Sequence, residues 1–289
     1  LLITLMLYNT VNIMTSKQIK ILSYNIQGKY SEEKDNTVDP PRNKRIIKLH
    51  RLITYMKDNK FDIAMIQETK ASPGWVEETV KRVDLKANVI ECANTMNNNK
   101  GGVAVISVNP DIKFKKVTLD NELMNNWTTG LSQENRDRYI NIDSMKDNIL
   151  GKFMEVSFKW NDQTYNLVNI YGPTVPGHTN SYFCRKHFYT FVDSKVSYFN
   201  NMMMMGDYNN VVDPNIDIIR TYPTLNSDIE DVTTFTDILA NRNLVDTYLS
   251  LRDEFSGPMM MTNKSSRQHE DGTWHTTYKR LDRAYHHPS

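Results

Sequence analysis

Only two cysteines, Cys92 and Cys184, occur in 289 residues. They are far apart and outside any metal-ligand spacing, which argues against a disulfide framework and suits a reducing compartment. Excess charge of either sign is also missing. Lys and Arg number 35 against 34 Asp and Glu, a net +1, so composition argues neither for nor against an anionic partner. No apolar run is long enough to cross a bilayer, and no membrane partner is expected. The opening "LLITLMLYN" is too short, lacks a basic flank and shows no evident cleavage site. No stretch rich in Gly, Ser or Pro divides the chain, and no internal repeat stands out. The seven histidines form no zinc-type spacing. No Walker loop, Gly-x-Ser-x-Gly elbow or dinucleotide fingerprint is present.

What is present is an alternation of short apolar runs with polar connections. "IKILSYNI" (19–26), "FDIAMIQETK" (61–70), "GGVAVIS" (101–107), "KFMEVSFKW" (152–160), "YNLVNIYGP" (165–173) and "MMMMGD" (202–207) read as strands. Ile46, Leu49, Ile53 and Met56 recur at helical spacing, and residues 181–197 and 230–242 also read as helices. Residues 273–285 supply a last strand or two, and 120–150 reads as long connections. Strands interspersed with a few helices predict one α/β domain with helices packed outside the sheets. Lys and Arg outnumber Asp and Glu between Lys17 and Lys60. Lys44, Arg45, Lys48 and Arg51 therefore form either a solvated helix face or a phosphate-contacting one.

Four apolar strands end in polar side chains: "ILSYNIQ" in Asn25, "IAMIQET" in Glu68, "LVNIYGP" in Tyr171, and "MMMMGDYN" in Asp207 and Asn209. One such ending is ordinary turn chemistry. Four together predict a site, because buried strand ends hold polar groups rigidly while opening them to a ligand. Met202 to Met205 read as a core strand that stops where it reaches the mouth of that site. Glu68 and Asp207 with nearby amide oxygens are hard donors that suit Mg²⁺ or Mn²⁺. Such a set fits phosphate-ester hydrolysis, in which a carboxylate orients water.

The order "SYNIQG", "IQETK", "GGVAV", "NIYGP", "MGDYNNV", "TWH" and "RLDR" resembles the endonuclease/exonuclease/phosphatase superfamily from about Lys20 to Tyr285. "NIYGP" followed by a helix and "GDYN" is most similar to the apurinic-type endonuclease domain of LINE-type non-LTR retrotransposon polyproteins. The resemblance implies a four-layer α/β sandwich of the DNase I-like type, with two packed mixed sheets flanked by helices. It implies Mg²⁺-dependent nicking of double-stranded DNA by a nuclear, monomeric domain, with a reverse transcriptase downstream in the same polyprotein. By resemblance Glu68 is the metal-binding glutamate, supported by Asn25. Tyr171 is the phenol that approaches the scissile phosphate. Asp207 also lies at the metal and orients the attacking water, and Asn209 holds it and the phosphate. Asp282 orients a catalytic histidine, unless it simply pairs with Arg280 or Arg283. Thr273 places a hydroxyl near the phosphate.

Two departures from the pattern set further expectations. Tyr208 stands where the resembled family has phenylalanine. The final Asp-His pair is missing, which predicts a truncated last strand. His286 and His287, on or just after the strand of Asp282, are the candidate substitutes for its histidine. The chain opens with Leu, and Met14 precedes "TSKQIKILSYN", so residues 1–13 are expected to be disordered or upstream of a domain spanning 14–289. The alternatives to an active DNA nickase are a catalytically dead remnant, an abasic-site repair nuclease of the same fold, or a phosphatase.

Overall fold

The structure, a computed structural model, describes residues 3–7, 18–26, 44–97, 100–116, 150–173, 178–196, 201–220, 232–250, 263–268 and 274–288. In chain order the first half runs β1 (Ile3–Leu7), β2 (Ile19–Asn25), α1 (Lys44–Asp58), β3 (Ile63–Gln67), α2 (Trp75–Lys81), β4 (Asn88–Cys92), β5 (Val103–Ser107) and β6 (Lys115–Lys116). Next come β7 (Phe153–Trp160), β8 (Gln163–Tyr171), α3 (His178–Lys195), β9 (Met202–Asp207), α4 (Pro214–Asp217) and β10 (Ile218–Arg220). The last elements are α5 (Val232–Asn241), β11 (Val245–Asp246), α6 (Thr247–Ser250), β12 (Asn263–Gln268), β13 (Trp274–Lys279) and β14 (Asp282–His286).

Two mixed sheets form the centre. One has the order β1-β2-β3-β5-β4, the other β11-β14-β9-β8-β7-β6. A smaller antiparallel sheet, β10-β13-β12, lies apart from them in the pairing scheme. Each large sheet holds one parallel pair, β2 with β3 and β8 with β9. A parallel pair needs a crossover, and α1 and α3 supply the two.

Strand alternation divides the core into three apolar layers. Ile63 and Met65 face the other sheet, while Ala64 and Ile66 pack with Leu49, Ile53 and Met56 of α1 and Val76 and Val80 of α2. The methionine run splits the same way. Met203 and Met205 enter the layer between the sheets, and Met202 and Met204 pack against Phe188, Phe191 and Phe235 of α3 and α5. A strand buried on both faces reads as a continuous apolar run, which accounts for the absence of alternation in the sequence. Along α1, Leu49, Leu52, Ile53 and Met56 are buried, and Ile46 is half-buried at the start of the same stripe.

The expected α/β sandwich of two mixed sheets is therefore present. The opening segment, expected to be disordered or upstream, carries β1, which pairs antiparallel with β2. An open edge on β2 offers backbone groups to such a β-rich run. β4, β10 and β12 were not anticipated: "NVIEC" and "IIR" are short and only partly apolar, and "NKSSRQ" has no apolar residue. Residues 120–149 of the expected connections lie outside the described residues.

Candidate active site at the mouth between the sheets

Period-2 geometry explains why the polar strand ends meet. Asn25 shares a face with Ile19 and Ile21, Tyr171 with Leu167, Asp207 with Met203 and Met205, and Asp282 with Ala284. All of these apolar neighbours line the layer between the sheets. Both parallel pairs end at this mouth. Asn25 stands in register with Gln67, one residue before Glu68, and Tyr171 stands in register with Asp207. Asp282 opens the antiparallel β14 directly across from Asp207.

The two sheets touch through the site itself. Asn25 Nδ2 donates to Asp207 Oδ2 at 2.9 Å. The Asn209 backbone N–H donates to Asp207 Oδ1 at 3.0 Å, and Asn209 Nδ2 donates to the Gly172 carbonyl at 2.9 Å. Asn209 achieves this at φ +48°, in the left-handed region that asparagine tolerates better than most residues. Glu68 also has a left-handed φ, +59°, and pairs with Lys70 at 2.5 Å. Burial pushes the Asp207 carboxyl above the usual range, and the Glu68 charge adds to the shift. The Asn209 N–H, the Asn25 amide and the Lys152 ammonium oppose it.

Gly206 makes the approach of β9 to β8 possible. A Cβ at this position would lie 1.9 Å from the Ile170 carbonyl oxygen, and its φ is +148°. The following residue, Tyr208, fills the aromatic core with Tyr189, Phe235 and Tyr285, so tyrosine serves where the resembled pattern has phenylalanine.

The loop beyond Asn209 is fixed by buried ion pairs. Asp217 Oδ2 accepts the N–H groups of Val212 and Asp213 and the Arg283 guanidinium, while Oδ1 accepts Arg280 Nε at 2.8 Å. Arg283 also donates to the Asn210 side-chain oxygen and carbonyl at 3.0 and 2.9 Å. Arg280 and Arg283, the alternative partners for Asp282, are both held by Asp217, and Arg280 also reaches Asp246.

Residues Asn25, Glu68, Tyr171, Asp207, Asn209 and Asp282 thus gather at one mouth. Thr273 lies outside the described residues. His286 and His287 do not join them: His286 sits at the opposite end of β14, opposite Met203, with Nδ1 2.8 Å from Thr247 Oγ1. Lys152 escaped sequence reasoning. It is buried, with its ammonium 4.0 Å from the centre of the Tyr171 ring, and its carbonyl accepts the Tyr171 N–H at 2.8 Å. A lone lysine before an apolar strand looks like any solvated charge, so no sequence signal could have found it.

Among the described residues no three His, Cys, Asp or Glu side chains form a metal cluster. An ion here would rest on the two carboxylates Glu68 and Asp207 with the Asn25 amide and retained water. That donor set fits a small hard cation such as Mg²⁺ better than zinc. Two neighbouring carboxylates, one of them buried, also form an electrostatic arrangement that a divalent cation would relieve.

No family model and no curated protein matches the sequence. Solved structures do match. An AP endonuclease from Archaeoglobus fulgidus is 16% identical, with 92% of this chain and 86% of that chain covered and a TM-score of 0.52. The catalytic domain of Xenopus laevis APE2 is 13% identical, with 93% of each chain covered and a TM-score of 0.50. This chain has the DNase I-like fold. The endonuclease domain of TRAS1, a telomere-specific non-LTR retrotransposon, matches at 11% identity over 93% of this chain and 85% of that one. Its TM-score of 0.49 is too low to choose among members of the DNase I-like fold.

Proposed function

We propose that the chain is a divalent-metal-dependent phosphodiesterase that nicks double-stranded DNA, of the retrotransposon endonuclease type. The observation that carries the proposal is the 2.9 Å hydrogen bond from Asn25 to Asp207, which joins the two sheets where Glu68, Tyr171, Asn209 and Asp282 also meet. Glu68, Asn25 and Asp207 would hold Mg²⁺ or Mn²⁺, which when bound offsets charge on the phosphoryl oxygens.

The remaining roles belong to the side chains. Asp207 is held on both oxygens, by Asn25 and by the Asn209 N–H, so its carboxylate orients the attacking water rather than rotating. Tyr171 presents its phenol to a phosphoryl oxygen, with the Lys152 ammonium holding the ring through its face. Asn209, tied to Gly172, limits where the phosphate can sit. Asp282 would orient an imidazole, a group that His286, at the far end of β14, does not supply.

The retrotransposon assignment rests on "NIYGP" and "GDYN", and it makes nuclear DNA the substrate and a reverse transcriptase segment the covalent partner. Supercoiled plasmid with Mg²⁺ tests the activity. Nicked circles are expected with Mg²⁺ and none with chelator. Salt-sensitive DNA binding with no cleavage in either Mg²⁺ or Mn²⁺ would favour the inactive remnant instead. Preference for an abasic over an intact duplex would shift the substrate class to repair.

A further inference from the structure

Beneath the site lies a buried amide pair that spans the two sheets. Gln67, on β3, precedes Glu68. Asn169, on β8, lies two residues before Tyr171 and in register with Met205, itself two before Asp207. Both side chains are fully buried. Gln67 Nε2 lies within donating distance of Asn169 Oδ1 at 2.8 Å, Ser23 Oγ at 3.0 Å and the Met65 carbonyl at 3.1 Å. Asn169 Nδ2 reaches across to the backbone of the facing sheet, donating to the carbonyls of Ile66 at 3.0 Å and Ala104 at 2.9 Å.

The apolar surroundings leave the spacing between the sheets some latitude. Met65, Met154, Met203 and Met205 share this layer with Ile, Val, Leu and Phe side chains, and methionine adapts its shape to the gap it meets. Hydrogen bonds are directional and tolerate only a few tenths of an ångström. The amide pair is also a poor choice for stability alone, since Gln67 Oε1 is buried with no hydrogen-bond partner among the described residues.

We propose that Gln67 and Asn169 are positioning residues. By latching β3 to β8, they set the separation between the sheet carrying Asn25 and Glu68 and the sheet carrying Tyr171 and Asp207. This rests on the metal-dependent phosphodiesterase reading. The latch acts one or two residues from each half of the site, so loosening it displaces the metal-holding carboxylates relative to each other.

Exchanging both partners for apolar side chains of similar shape removes the latch, and it also withdraws a donor from the Ser23 hydroxyl and from the Ile66 and Ala104 carbonyls, so stability falls while the fold is kept. The Gln67→Met/Asn169→Leu chain is therefore the test, compared with the parent for unfolding midpoint, plasmid nicking and Mn²⁺ binding by electron paramagnetic resonance. The expected result is a lowered but cooperative midpoint, with nicking and Mn²⁺ binding compared at a temperature where both chains are fully folded. The kcat for nicking and the Mn²⁺ affinity should each fall about 10–100-fold, with KM for DNA little changed. Should the double variant fail to fold, Gln67→Met alone keeps the Asn169 bonds to the facing backbone and should show the same losses at smaller size. Parent-like turnover and Mn²⁺ affinity in a folded variant would overturn the proposal. So would a loss of activity that only tracks a lowered midpoint. A parent that neither nicks DNA nor binds Mn²⁺ would instead refute the phosphodiesterase reading, and the latch with it.

Discussion

Replacing Gly206 by alanine should damage both the fold and the chemistry, by amounts that follow from the geometry. An added Cβ would stand 1.9 Å from the Ile170 oxygen and 2.8 Å from its carbonyl carbon. Neither atom can swing away, because both belong to the backbone of β8. The strands must separate by about 1 Å, an overpacking strain that costs about 1–3 kcal/mol. The positive φ adds about 1 kcal/mol for a residue with a Cβ. A total loss of about 2–4 kcal/mol should appear in urea unfolding as a lower midpoint at unchanged slope. Tyr171 and Asp207 are the next register pair beyond Ile170 and Gly206, so they inherit the displacement. A misplacement of that size costs about 100-fold in turnover. An alanine variant within about 0.5 kcal/mol of the parent, nicking DNA at the parent's rate, would refute this reasoning.

Three further outcomes are expected. Arg283→Met leaves Asp217 with one guanidinium in a buried setting and should cost about 3–5 kcal/mol in urea unfolding. Burial pushes the Asp217 carboxyl up, but the Arg283 and Arg280 guanidiniums outweigh it and hold the group below its ordinary value. A depressed carboxylate stabilises the fold above its unfolded pKa, and that stability is lost as pH falls through the folded value. Asp217→Asn should therefore flatten the acid limb of unfolding free energy against pH; an unchanged limb would rule Asp217 out as its source. Lys152→Met removes the cation that stands over the Tyr171 ring and near Asp207, and should lower kcat about 10-fold with little change in DNA affinity.

The parts of the fold legible in the sequence were those with strong local pattern. The strands ending at Asn25, Glu68, Tyr171 and Asp207 are short apolar runs closed by polar residues, and α1 shows its stripe directly. The α/β sandwich followed from these and from the motif order. What stayed hidden depended on pairing between distant segments. The split of Met202 to Met205 between two layers cannot be read from four identical residues. β4 and β12 gain their strand character from neighbours rather than from their own composition. Lys152 and Arg283 look like surface charges until the sheets bury them beside Tyr171 and Asp217. Asn169 did leave a trace, as a polar residue inside "LVNIYG" two positions before Tyr171, on the same face of the strand.

The most direct measurement is Mg²⁺-supported relaxation of supercoiled plasmid by the parent and by Asp207→Asn, each first shown to unfold cooperatively at a similar midpoint. Asparagine keeps the size of the side chain and removes only its charge. The parent should relax the plasmid in a chelator-sensitive reaction, and the variant should be slower by at least about 100-fold. Equal rates in the two would contradict the assignment of this mouth as the active site.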